Sequence, residues 1–218
     1  MPRRVTATLA GISFTAVTFD SRTHRLVIAD QPGGPGSLWP DAKAAASARG
    51  GVAAVNGGFF TPEGSPLGLV IANGKRSGSL NRASSLGAGL FVDDGTPALV
   101  RRESAGSSRE LLQSGPFLVE SGRRVAGLSP ESSTARTILG WDGGTGWFIA
   151  RSGPASLADL ANALEGAKVG DVAARNVLNL DGGRSSELWI SANVSGGPLH
   201  QRPIWNRPVR NFLVLQAR

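Results

Sequence analysis

Glycine and proline punctuate this 218-residue chain throughout, 30 and 13 times respectively. That spacing confines it to short elements joined by tight turns, because glycine supplies left-handed backbone and proline removes a ladder donor. Between the breaks, apolar residues alternate with Thr and Ser or gather in short runs, the pattern of many short strands. Residues 6–20 read as one long strand or a bent hairpin. Asn73-Gly74 and Asp142-Gly143-Gly144 mark hairpin turns. Only two stretches read as helices. One is the Ala-rich segment 38–49, from Leu38 to Arg49, stopped by Gly50-Gly51. The other covers 157–165, with Ser156 as N-cap and Leu157, Leu160, Ala161 and Leu164 on one face. Strands in this order with two helices predict an α+β fold on a mixed, largely antiparallel sheet. The length, with no linker or repeat, predicts one domain over 1–218.

Composition narrows the function classes. Apolar residues are 40% and charged residues 18% of the chain, so it has material for a core. The net charge of +7 is nearly all arginine, since Lys43, Lys75 and Lys168 are the only lysines. The arginines are scattered, with pairs at 3–4, 101–102 and 123–124, and tyrosine is absent. A nucleic-acid partner wants a basic patch interleaved with aromatics, and none is present. The absence of cysteine excludes disulfides, thiolate metal sites and a Cys nucleophile. No apolar stretch reaches the roughly 18 residues of a membrane span. Arg3-Arg4 precede a segment that alternates like a strand rather than forming the apolar block of a signal peptide, which leaves the compartment open.

Two apolar strands end in the same way. Val52-Ala53-Ala54-Val55 runs into Asn56-Gly57-Gly58, and Val177-Leu178-Asn179-Leu180 into Asp181-Gly182-Gly183. A buried strand delivers one polar side chain to a fixed place at the sheet edge, and paired glycines let backbone or ligand approach closely. Turn formation alone explains either motif; two in one chain favour a site. Arg136, ahead of Thr137-Ile138-Leu139, has the fork geometry for phosphate or carboxylate, although an Arg at a strand end is often only an ion-pair partner. Arg184 and Arg210 are weaker versions of the same argument. His24 and His200, the only histidines, lie in no triad or zinc spacing, and no P-loop or dinucleotide fingerprint is present, so no metal or cofactor is expected. Trp189 and Trp205 are the tryptophans best placed to stack on a sugar.

In order along the chain, these segments resemble the phosphodiester glycosidase family. They are residues 54–60 (Ala-Val-Asn-Gly-Gly-Phe-Phe), Leu67-Gly68-Leu69-Val70 with Asn73-Gly74, Gln113-Ser114-Gly115-Pro116, Ala135-Arg136-Thr137 with Ile138-Leu139-Gly140, residues 179–186 around Asp181-Gly182-Gly183, and Arg207-Pro208-Val209-Arg210-Asn211. One departure is Arg184, where the family usually has Gly. The resemblance implies hydrolysis of the glycosidic bond of a sugar-1-phosphodiester, with an N-acetylglucosamine-like sugar, releasing free sugar and a phosphomonoester. It implies export, too, and a small-molecule or glycan diester as partner. On it, Asp181, Arg136 and Asn56 are the expected catalytic residues. Gly57, Gly58, Phe59, Gln113, Asn179, Gly182, Gly183, Arg184, Ser185, Ser186 and Arg210 are expected to contact substrate, and Glu63 or Glu187 to supply a second carboxylate. The other reading is a non-catalytic carbohydrate- or phosphate-binding domain on the same scaffold.

Overall fold

The computed structural model describes all 218 residues. Its strands form sheets of seven, five and five strands, with a two-stranded ribbon beside them. The strands pair antiparallel, with one isolated parallel bridge from Arg3 to Ser195, so the fold is the sheet-rich, largely antiparallel α+β expected. Short hairpin turns explain this, because a parallel pair needs a crossover of a dozen residues or more. The segment 6–20 proves to be a hairpin, Arg3–Leu9 against Ile12–Asp20, turned at Ala10 and Gly11 with φ of 47° and 80°. The Asn73-Gly74 and Asp142 turns close hairpins as well.

Period-two alternation places the layers. In Thr137–Trp141, Ile138 faces one side and Leu139 the other. Leu139, Ile149, Leu178 and Val17 of the seven-stranded sheet meet Ala53, Val55, Leu213 and Leu215 of one five-stranded sheet. Val70, Phe91 and Leu112 of the other five-stranded sheet complete this central core. The outer face of the large sheet, with Phe14, Ile138, Phe148 and Val177, is covered by helix α2 (Leu157–Leu164). The outer face of its partner, with Val27, Ala54, Phe212 and Val214, is covered by helix α1 (Ala42–Ala48).

Helix α1 starts four residues later than the sequence suggests. Asp41 caps it, its Oδ1 accepting the Ala44 N–H at 2.8 Å, and Pro40 keeps the residue before it out of the helical region. Helix α2 begins where expected, with Ser156 Oγ accepting the Asp159 N–H at 3.1 Å. No helix is long and apolar enough to cross a membrane.

Arg210 was expected at the substrate. It is instead 6% exposed and forks onto Asp30, Nε to Oδ1 at 2.9 Å and Nη2 to Oδ2 at 3.0 Å, while Nη1 donates to the Gly64 carbonyl. This buried pair joins two neighbouring strands of the five-stranded sheet to the 59–67 loop. All three guanidinium nitrogens are occupied, so its role is structural.

Two stability outcomes follow. Arg210→Met should cost about 3–5 kcal/mol by stranding the buried Asp30 carboxylate, and adding Asp30→Asn should recover much of it; denaturant midpoints of the wild type and the two variants measure this. Gly140 lies opposite Phe148, and a Cβ there runs into the Phe148 ring. Gly140→Ala should therefore cost roughly 1–3 kcal/mol, a melting shift of about 2–12 °C, and Phe148→Leu should relieve it.

Candidate active site

The two strands singled out by their Gly-Gly endings come from different sheets and end side by side. Asn56, the last residue of Ala53–Asn56, is fully buried between them. Its Nδ2 donates to the Asp181 carbonyl at 2.6 Å. Its Oδ1 accepts from Thr137 Oγ1 at 2.7 Å and from the Glu187 N–H at 3.0 Å. Thr137 Oγ1 also lies 2.9 Å from Ser186 Oγ. Backbone bonds add to the join: the Asp181 N–H donates to the Gly57 carbonyl at 3.0 Å. Asn56, expected as a catalytic residue, is enclosed, and both ends of its amide are bonded within the protein.

The glycines serve this join. A Cβ on Gly57 would collide with the Asn211 side chain, whose Oδ1 accepts the Gly58 N–H at 2.9 Å. Gly183 takes φ of +59° and bonds its N–H to the Ala135 carbonyl at 2.8 Å. These two positions are fixed by loop packing and backbone angle, before any ligand is considered.

Asp181 is presented on this corner, partly open to solvent, with the Gly182 N–H donating to its Oδ1 at 2.9 Å. Burial pushes its carboxyl above the ordinary range, against smaller opposing effects of Ser185, the Gly182 N–H and Arg207. Ser185 lies near enough to influence the carboxyl, yet its Oγ completes no hydrogen bond of normal geometry. Arg136 also packs against Gly182, its Cδ 3.4 Å from where a Cβ on that glycine would stand. Its Nε and Nη2 donate to the carbonyls of Ala155 and Ser132 at 3.1 and 2.7 Å, and it forms no ion pair. Burial lowers its pKa, the mark of a guanidinium without a counter-ion. Asp181 likewise has no cation within ion-pair distance. A desolvated carboxylate and a desolvated guanidinium thus stand beside one glycine, neither neutralised by the protein.

Other expected residues sort around this pair. Asn179 is buried, with Nδ2 on the Gly115 carbonyl at 3.0 Å and Oδ1 unpartnered. Arg184 is exposed and holds the 202–208 loop beside the site, its Nε donating to the Trp205 carbonyl at 3.1 Å and its backbone carbonyl accepting from Asn206 Nδ2. Phe59 opens the 59–67 loop, its carbonyl accepting the Leu67 N–H. Gln113 does not face the site: its amide is consumed by the Leu69 and Asn81 N–H groups and the Asn81 and Gly87 carbonyls, all at 2.7–2.9 Å. Trp189 packs against the core under α1, while Trp205 is 77% exposed.

Neither second carboxylate joins Asp181. Glu63 is exposed on the 59–67 loop. Glu187 is buried and directed at His200, Oε1 to Nε2 at 2.6 Å, with burial raising its carboxyl. Asp41, Glu187 and His200 bring ligand atoms within 4.8 Å of one another, the grouping nearest to a metal site. Arg202 stands on Asp41 at 3.3 Å and on Glu187 at 4.0 Å and already supplies the positive charge there.

Sequence reasoning passed over Thr137, Asn211 and Arg151. Thr137 and Asn211 are polar residues leading buried apolar strands, a related signal at the opposite strand end from Asn56. Arg151 stands opposite Thr137, donates Nε to the Ser186 carbonyl at 3.2 Å, and is desolvated without an ion-pair partner.

Known proteins share this fold. The catalytic domain of zebrafish N-acetylglucosamine-1-phosphodiester alpha-N-acetylglucosaminidase, auto-inhibited by its pro-peptide, superposes with a TM-score of 0.67 at 17% identity, over 100% of this chain and 82% of that one. A hypothetical protein from Synechocystis superposes with a TM-score of 0.65 at 18% identity; this chain is covered completely and spans 61% of that one. At these identities the likeness is one of fold. No curated protein matches in a sequence search. The sequence profile of the phosphodiester glycosidases, however, matches residues 49–216, which include both Gly-Gly turns, Arg136 and the closing strand, and the chain belongs to that family.

Proposed function

We propose that this chain is a hydrolase that cleaves the glycosidic bond of a sugar-1-phosphodiester, releasing free sugar and a phosphomonoester, with an N-acetylglucosamine-like sugar as the natural first substrate to try. The observation that carries the reading is the uncompensated pair, Asp181 and Arg136, beside Gly182. A neutral ligand would leave the Arg136 charge unmet. A phosphodiester meets it and places the adjoining anomeric carbon toward the carboxylate side. Water supplies the new oxygen at that carbon, Asp181 accepts its proton, and the electron pair of the broken bond leaves on the phosphate oxygen. Because a phosphomonoester is a good leaving group, the step needs positive charge on the phosphate more than a strong general acid. Arg136 supplies that charge, and Asn56, Thr137 and the paired glycines hold the Asp181 turn against it. Gly57, Gly58, Phe59, Asn179, Gly182, Gly183, Arg184, Ser185 and Ser186 shape the surroundings.

A product assay on several sugar-1-phosphodiesters, separating free sugar from sugar phosphate, tests the reading directly. Saturable binding with no turnover on any of them would make the chain a binding domain instead. Asp181→Asn should lower turnover on the order of a hundredfold or more. Because burial raises the Asp181 carboxyl, activity should fall on acidification through a pKa above the usual carboxylate range. The same shift sets the sign for stability. A carboxyl raised on folding contributes stability only at low pH and loses it as pH rises through its folded pKa. Asp181→Asn should therefore melt no lower than wild type at neutral pH, with any gain disappearing in acid. Arg136→Lys should lose roughly tenfold or more in kcat/KM, since a point charge does not reproduce the fork. Unchanged turnover in Arg136→Ala would remove Arg136 from the site.

A further inference from the structure

The closing strand Asn211–Ala217 has one end at the Asp181 corner and the other in a separate cleft of about 400 Å³. Asn211 and Gln216 are five residues apart, about 17 Å along an extended strand. None of the residues around Asp181 lines this cleft, and Val27 is its only apolar wall residue. Four arginines from separate parts of the chain converge on it: Arg25, Arg49, Arg109 and Arg218.

Their partners are unusual. Arg25 directs Nε and Nη2 at the neutral amide oxygen of Gln216, oriented to accept both at 2.9 Å. Arg109 does the same to the neutral Asn73 Oδ1, at 3.0 and 2.7 Å. Arg49 stacks its guanidinium 5.3 Å from the centre of the Trp39 ring. Arg218 alone reaches a carboxylate, Asp93 at 3.6 Å. Glu110, in the floor, is buried, and its two oxygens accept the Ile28 and Asn73 N–H groups at 2.8 and 3.0 Å, leaving no guanidinium within ion-pair distance. Three guanidinium groups therefore face the cleft with neutral or aromatic neighbours as their direct contacts; the buried Glu110 carboxyl, raised by desolvation, acts on Arg49 and Arg109 only through space, and the exposed Asp94 makes no bond. Holding a cation in position with an amide or a ring orients it without neutralising it, which is the requirement for binding an anion.

We propose that this cleft is a second anion site, which takes the phosphoryl group of a small phosphorylated molecule on Arg25, Arg49 and Arg109. A phosphate dianion offers enough acceptor oxygens to share among three forks, whereas a carboxylate offers two and a single charge. The polar walls and the volume suit a hydroxylated remainder, with Asp94 accepting from its hydroxyls. This site stands independently of the reaction assigned to Asp181.

Isothermal titration with inorganic phosphate and with pyrophosphate, at ionic strength matched with sodium chloride, tests it. The protein should bind pyrophosphate saturably, and saturable binding should persist in Arg136→Ala, the background in which the cleft variants are compared. Arg25→Gln/Arg109→Gln should bind at least tenfold more weakly, and Arg49→Gln should weaken binding on its own. Arg101→Gln, which removes an exposed arginine paired with Glu120, should change nothing. Circular dichroism and melting of each variant establish that it is folded. Binding that vanishes in Arg136→Ala would place the anion at the Asp181 corner and overturn the proposal. So would binding unchanged in Arg25→Gln/Arg109→Gln, or the absence of saturable binding.

Discussion

One buried amide governs the corner where the two Gly-Gly turns meet. Asn56 sits where the seven-stranded sheet and a five-stranded sheet come together, and it hydrogen-bonds to groups on both sides. Packing of Leu, Ile and Val faces brings two sheets together without fixing how they slide past each other, because apolar contact is non-directional. Three directed bonds at one end remove that freedom. A buried polar network of this kind specifies geometry only when every member is satisfied, and the Asn56 amide is. The Asp181 turn inherits its position from this network.

The satisfied network stands beside groups that the fold leaves unmatched. Asn179 Oδ1, Ser185 Oγ and Asn211 Nδ2 are buried without a partner, all contributed by the strands and turn that meet at this corner. Asp181 and Arg136 are desolvated without a counter-ion. The forked Asp30–Arg210 pair is the contrast, a buried charge met in full by its partner. Unmatched polarity gathered at one corner is what a protein tolerates where a ligand completes the set.

Much of this corner was legible in the chain. Asn56 and Asp181 announce themselves because each ends an apolar run and precedes two glycines, a local pattern with a local cause. The hairpins at Asn73-Gly74 and Asp142 and the Ser156 cap were legible for the same reason. Gln113 and Arg210 were misread because their roles depend on partners far off in sequence: Asn81 and Leu69 for one, Asp30 at a separation of 180 residues for the other. Nothing near Arg210 reveals that its charge is already met. Arg136 shows the converse, since only the structure reveals that its own charge is not. Thr137 and Asn211 carried the right signal, a polar residue leading a buried strand, but without the glycines that drew attention to Asn56.

The strand Asn211–Ala217 lies inside its sheet, between Ala53–Asn56 and His24–Asp30, rather than at an edge. Both neighbours belong to the first quarter of the sequence. They cannot pair through it until the chain as far as residue 217 is available, and closing loops of such length is the entropically demanding part of folding. During synthesis, therefore, the early strands must wait with Leu26, Ile28, Val55 and their neighbours uncovered, exposed to association with other chains or dependent on a holding chaperone. The late arrival that completes the sheet also brings Asn211 to Gly57, so the corner of the two Gly-Gly turns takes shape only as the whole domain closes.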